Sequence, residues 1–172
     1  TLTITPVETE VVVTITEHSG EATYDGEKHT VTGYDVEISN PLYTEDNFTF
    51  DGTAQIEGTD AGTYNMGLTA EDFTNISENF SNVTFTIVDK TLVINPRAVT
   101  LTSATDSKVY DGTALTNNDV TVGGDGFVEG EGATYTVTGT ITDKGSIQNT
   151  FEYALNEGTK AANYEITKTE GT

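Results

Sequence analysis

Oxygen-bearing side chains crowd two places in this chain. Asp46, Asn47 and Asp51 are close together, and Asp119, Asp125, Glu129 and Glu131 lie near flexible glycines. Oxygen-rich loops of this kind suit a hard cation such as calcium. Neither has the regular acidic spacing of an EF-hand loop. The expectation is therefore no metal site and no cofactor, with a structural calcium as the alternative. The only histidines, His18 and His29, fall in different strand-like segments without metal-ligand spacing and read as exposed. Residues 97–172 contain no His, so a Ser-His-Asp arrangement has no basis there. A glycosidase pair of carboxylates would need a cleft. The absence of cysteine removes thiol nucleophiles, thiolate metal sites and disulfides. No catalytic residue is assigned, and the chain reads as a non-enzyme.

One further chemistry is cross-linking. Lys28 and Lys108 could form Lys–Asn or Lys–Asp amides, and Gln55 and Gln148 are the only glutamines for Thr–Gln esters. Each also reads as an ordinary surface residue, because such bonds need burial beside an acid.

The elements that must position these residues are strands. Thirty-five residues are Thr, with Val, Ile, Tyr and Phe also frequent, and these types favour pleated, half-buried surfaces. Tyr34, Val36 and Ile38 alternate with Asp35 and Glu37. Val83, Phe85 and Ile87 alternate with Thr84 and Thr86. Phe48 and Phe50, Val99 and Leu101, and Tyr135, Val137 and Ile141 repeat the pattern with Thr between them. Asp25-Gly26, Asp51-Gly52 and Asp111-Gly112 supply turns, because Gly accepts positive φ and Asp bonds its own backbone. Thr69 and Thr44 each open a short helical turn with acids in its first residues.

The chain repeats. Tyr24-Asp25-Gly26 recurs as Tyr110-Asp111-Gly112, Asn79-Phe80 as Asn163-Tyr164, and Thr1-Leu2-Thr3-Ile4 as Thr91-Leu92-Val93-Ile94. Two copies of one unit suggest part of an array. Pro96 marks the boundary, giving a first β module over 1–96 and a second over 97–172. Residues 1–6 read as the terminal strand of a preceding repeat, and the second module as lacking its own. The chain is then out of phase with the repeat. Either both ends pack locally, or Thr1–Thr5 of one molecule adds to the second module of the next, because open sheet edges template pairing.

The net charge of −21 argues against nucleic acid and against anionic membranes. It is uneven, with 17 acidic and 2 basic residues in 1–96. No apolar run approaches the roughly 18 residues that span a bilayer.

These motifs, in this order, resemble the YDG and MBG repeat families. They are Tyr-Asp-Gly, then Ala61-Gly62-Thr63-Tyr64, then Asn79-Phe80, then Thr91-Leu92-Val93-Ile94-Asn95-Pro96. Lys108-Val109-Tyr110-Asp111-Gly112-Thr113 is similar to the opening motif and Ala162-Asn163-Tyr164-Glu165-Ile166 to the closing one. The second unit departs at Gly145-Ser146-Ile147-Gln148-Asn149, opposite Ala61-Gly62-Thr63-Tyr64. The resemblance implies a tandem, non-catalytic module of an extracellular protein on the bacterial cell surface.

The combined expectation is all-β: two tandem immunoglobulin-like β-sandwich modules, with a β-grasp-like arrangement as the alternative. The function expected is a stalk or spacer of a surface adhesin, partnered by neighbouring repeats and attached through its parent protein to the cell wall. The alternative is an adhesin module that binds a host glycan or protein. That alternative looks to an exposed aromatic patch around Tyr34, Tyr43 and Phe48. Its ligand-binding residues stay unassigned.

Overall fold

A computed structural model describes all of residues 1–172. Fifteen strands form, in the order β1 (Val11–Glu17), β2 (Gly20–Thr23), β3 (His29–Thr32), β4 (Tyr34–Ile38), β5 (Phe48–Phe50), β6 (Gln55–Gly58), β7 (Gly62–Asn65), β8 (Phe73–Asn75), β9 (Val83–Val88), β10 (Thr91–Asn95), β11 (Arg97–Ser103), β12 (Val120–Gly124), β13 (Ala133–Val137), β14 (Phe151–Leu155) and β15 (Tyr164–Thr169). The only helical pieces are single 3-10 turns at Glu45–Asn47, Ala70–Asp72 and Ala161–Asn163. The fold is all-β, with several sheets consistent with a β-sandwich. No α-helix lies across a sheet, so the β-grasp alternative lacks its central element.

The chain divides into two compact units, Thr1–Ala22 with Lys28–Ile94, and Thr23–Glu27 with Asn95–Thr172. In the first, β1 is central. It pairs antiparallel with β4 and parallel with β9, in the order β4-β1-β9. Its inward face is Val11, Val13, Ile15 and Glu17, all buried. The run Val11-Val12-Val13 masks this alternation in the sequence. The core adds Tyr43, Phe48, Leu68, Phe73 and Phe80. Aromatic edges meet faces there, as for Tyr43 and Phe80 at 5.1 Å, the arrangement ring quadrupoles favour. The Tyr43 hydroxyl lies 2.9 Å from Asn75 Oδ1 and 3.1 Å from the Asn47 carbonyl, either of which can accept its single proton, so its burial leaves no polar orphan.

In the second unit β11 repeats the part of β1. It pairs antiparallel with β12 and parallel with β15, and Val99, Leu101 and Ser103 are its buried residues. Arg97, at its start, donates to the carbonyls of Gly126 and Asp125 at 2.8 and 2.7 Å and holds that turn closed.

Local signals behave as the chain's chemistry dictates. Gly26 and Gly112 have φ of 83° and 78°, and Asp25 and Asp111 each accept from the amide two residues on at 2.9 Å. The two expected helical turns form, and in each the third residue reaches back to the cap amide, Asn47 to Thr44 and Asp72 to Thr69. Asp51-Gly52 does not make such a turn. The Asp51 amide instead donates to the Asp72 carbonyl beside the β5–β8 ladder, so sheet pairing overrides the local preference.

Candidate binding site

The second unit has one sizeable cavity, of about 490 Å³. Two stretches outside any strand wall it, 104–110 on one side and 142–148 on the other. Leu115 and Ile141 join as an isolated bridge beneath. Asn149 fixes the floor. Its side-chain amide donates to the carbonyls of Ala104 and Asn117, both at 2.9 Å, and its backbone amide donates to Gly171. Ser103 completes that corner, donating to the Asn149 carbonyl and accepting from the Gly171 amide.

The first unit fills the corresponding place. There β10 lies between β2 and β7, with Leu92 opposite Tyr64, and Leu92 and Ile94 are buried. The pair Val31–Ile56 stands where Leu115–Ile141 stands in the second unit. Ile56 is buried and Ile141 is half-buried. Tyr110 is 66 % exposed, against 4 % for Tyr24, whose ring and hydroxyl meet Tyr164 and Glu131. The expectation that both Tyr-Asp-Gly tyrosines sit at a core edge holds for Tyr24 alone.

Glu131 joins two tyrosines in the second unit. Its Oε1 accepts from the Tyr24 hydroxyl and its Oε2 from the Tyr164 hydroxyl, both at 2.6 Å, while the rings meet edge to face at 5.5 Å. Burial, then the hydrogen bond to the Glu131 carboxylate, push the Tyr164 phenol up to about 12. The other acids named as oxygen ligands do not converge with it. Asn47 Oδ1 is engaged by the Thr44 cap, and no three acidic or histidine side chains come together at one point.

His29 is half-buried, and the His18 side chain is 43 % exposed, as expected. The two nitrogens of His18 face acceptors, Nδ1 at 2.8 Å from the Thr32 carbonyl and Nε2 at 3.2 Å from Asp35. The Asp35 hydrogen bond, then that of Thr32, raise its pKa above 6.5, because the imidazolium satisfies both.

The two lysine candidates for cross-linking sit in ion pairs. Lys28 Nζ lies 2.9 Å from Glu57, which also takes Gln55 Nε2 at 2.6 Å. Lys108 Nζ donates to Asp111 at 2.9 Å and to Thr113 Oγ1 at 2.6 Å. Lys108 and the Thr113 hydroxyl hold the Asp111 carboxyl well below the usual carboxylate range. Amide condensation needs a neutral amine and a protonated acid, and this pair favours the opposite charge states. The aromatic patch is also relocated: Tyr43 and Phe48 are buried in the first core, and Tyr34 packs edge to face on Phe50 and Phe73. Hydrophobic burial claims these rings before any ligand can.

The family model described as MBG domain matches residues 11–96. No curated protein and no solved structure matches the chain.

Proposed function

The chain belongs to the MBG domain family, a non-catalytic family of surface-protein repeat modules, and from that premise we propose that it serves as a tension-bearing spacer in the stalk of a bacterial surface adhesin. The observation that carries this is the parallel pairing of each unit's first long strand with a late one. β1 and β9 run together through six register pairs, from Val11↔Val83 to Thr16↔Val88. β11 and β15 do the same from Arg97↔Tyr164 to Thr102↔Thr169. Pulling the start of one parallel strand away from the end of its partner loads all the rungs in shear at once. Peeling from one end breaks them singly. Parallel pairing needs a long connection to return the chain, and each unit spends most of its residues on that return.

The acidic surface fits the same role, since like charge keeps neighbouring stalks apart. No helix is long and apolar enough to cross a membrane; in this reading the rest of the parent protein provides anchorage, outside the cell. Burial of Tyr43 and Phe48 weakens the glycan-binding alternative.

Pulling geometry tests the reading, and the lack of native cysteine leaves the chain free for attachment handles. Handles at Glu10→Cys and Asp89→Cys load the β1–β9 ladder in shear. Handles at Glu10→Cys and Asn82→Cys peel it from one end. The first pair should need a severalfold higher unfolding force in single-molecule extension. Equal forces would remove the mechanical argument.

A further inference from the structure

We infer that Val128, Glu131 and Tyr164 of the second unit form a seat for the Tyr24-Asp25-Gly26 turn, so that this tripeptide is a docking motif on which the second unit depends for stability. The docking is a matter of folding without load and stands independently of the spacer reading.

Residues 11–96 match one family model, yet Thr23–Glu27 does not fold with the rest of that span. It belongs to the second compact unit, together with Asn95–Thr172. Each residue of the tripeptide has a part in this. Tyr24 is 4 % exposed. Its amide donates to the Asn95 carbonyl at 2.9 Å, its carbonyl accepts from Arg97 Nη1 at 3.5 Å, and its hydroxyl donates to Glu131 Oε1 at 2.6 Å. Asp25 closes the turn by accepting from the Glu27 amide at 2.9 Å. Gly26 has a φ of 83°, and a Cβ added there would lie 2.9 Å from Val128 Cγ1. The backbone conformation and the close approach both call for glycine.

The seat is held by bonds that do not involve the turn. The Tyr164 hydroxyl accepts from the Val128 amide at 3.1 Å and donates to Glu131 Oε2 at 2.6 Å, while the Glu131 amide donates to the Val128 carbonyl at 2.9 Å. Phe127 packs edge to face on the Tyr164 ring at 5.0 Å. The Glu131 carboxylate is thereby fixed, with Oε1 left to accept from Tyr24. A hydrogen bond to a charged acceptor is stronger than one between neutral groups, and the tyrosine ring adds a large apolar area. The turn itself needs no seat. At Gly112 it forms with a φ of 78°, and nothing lies within 4 Å of the place a Cβ would take. Local chemistry makes the turn, and the seat buries Tyr24.

Amide hydrogen exchange of the intact chain, read strand by strand, tests the docking. Tyr24→Ala should speed exchange in β11, β12 and β15 by about tenfold or more, since emptying a buried aromatic site is costly. Exchange in β1, β4 and β9 should not change, although Tyr24 lies in the span of the first repeat. Tyr24→Phe keeps the ring and removes only the hydroxyl, and should speed exchange in the same three strands by about fivefold, the worth of one hydrogen bond. That effect should shrink in a Glu131→Gln background, where the acceptor is already weakened. Gly26→Ala should loosen the second unit more than Gly112→Ala, because both meet the same backbone strain and only Gly26 faces Val128. Adding Val128→Ala to Gly26→Ala should recover part of that difference. Unchanged exchange in Tyr24→Ala, or equal acceleration in β1, β4 and β9, would overturn the inference. So would equal losses from the two glycine substitutions.

Discussion

Ile94 and Ile4 hold the same place in a Thr-Leu-x-Ile stretch, yet Ile94 is 1 % exposed and Ile4 is 97 % exposed. The difference is one of cover. Ile94 lies in β10, paired on both sides by β2 and β7, while Ile4 lies in no strand. Ile94→Ala should destabilise the first unit by about 2–5 kcal/mol, the usual cost of emptying a buried aliphatic site. Ile4→Ala in dilute protein should change stability by less than about 0.5 kcal/mol. Urea unfolding at low protein concentration measures both.

Glu17 should be among the most sensitive positions in the first unit. It is 2 % exposed at the end of β1, and its carboxylate accepts from the Leu68 amide at 3.0 Å and the Lys90 amide at 2.9 Å. Ser103, at the end of β11, does the equivalent work with the Gly171 amide and the Asn149 carbonyl. Glu17→Ala leaves two amides without partners, and each costs about 1–3 kcal/mol when buried. The expected loss is about 2–4 kcal/mol by the same principle, since Lys90 is nearer the surface. Glu17→Gln keeps one acceptor oxygen and should lose less. Chemical denaturation ranks the two.

The Glu131–Tyr164 pair should give the second unit an alkaline limit. The phenol is held up to about 12 from its ordinary 10.0, so folding favours the neutral hydroxyl. The linked stabilisation is complete below pH 10 and is lost as pH rises from 10 to about 12. Tyr164→Phe should remove the most reluctant phenol from an ultraviolet titration of the eight tyrosines. Glu131→Gln should lower the Tyr164 pKa, because it replaces an anionic acceptor with a neutral one. An unchanged titration in Glu131→Gln would mean that burial alone sets the shift.

Features that depend on neighbours along the chain were legible from the residues. Alternation at Tyr34–Ile38 and Val83–Val88 became strands because side chains two apart share a face. Asp25-Gly26 and Asp111-Gly112 became turns, and Thr44 and Thr69 became caps, through bonds that span two or three residues. Long-range packing settled the rest. The parallel pairing of β1 with β9 joins residues more than seventy positions apart, and no local periodicity encodes it. The burial of Glu17 depends on the amides of Leu68 and Lys90, both more than fifty positions away. Tyr43 and Phe48 looked available for a ligand until the first core took them. Tyr24 and Tyr110 share a tripeptide and differ in burial, because burial depends on what lies over a residue, and that cover comes from chain far away in sequence.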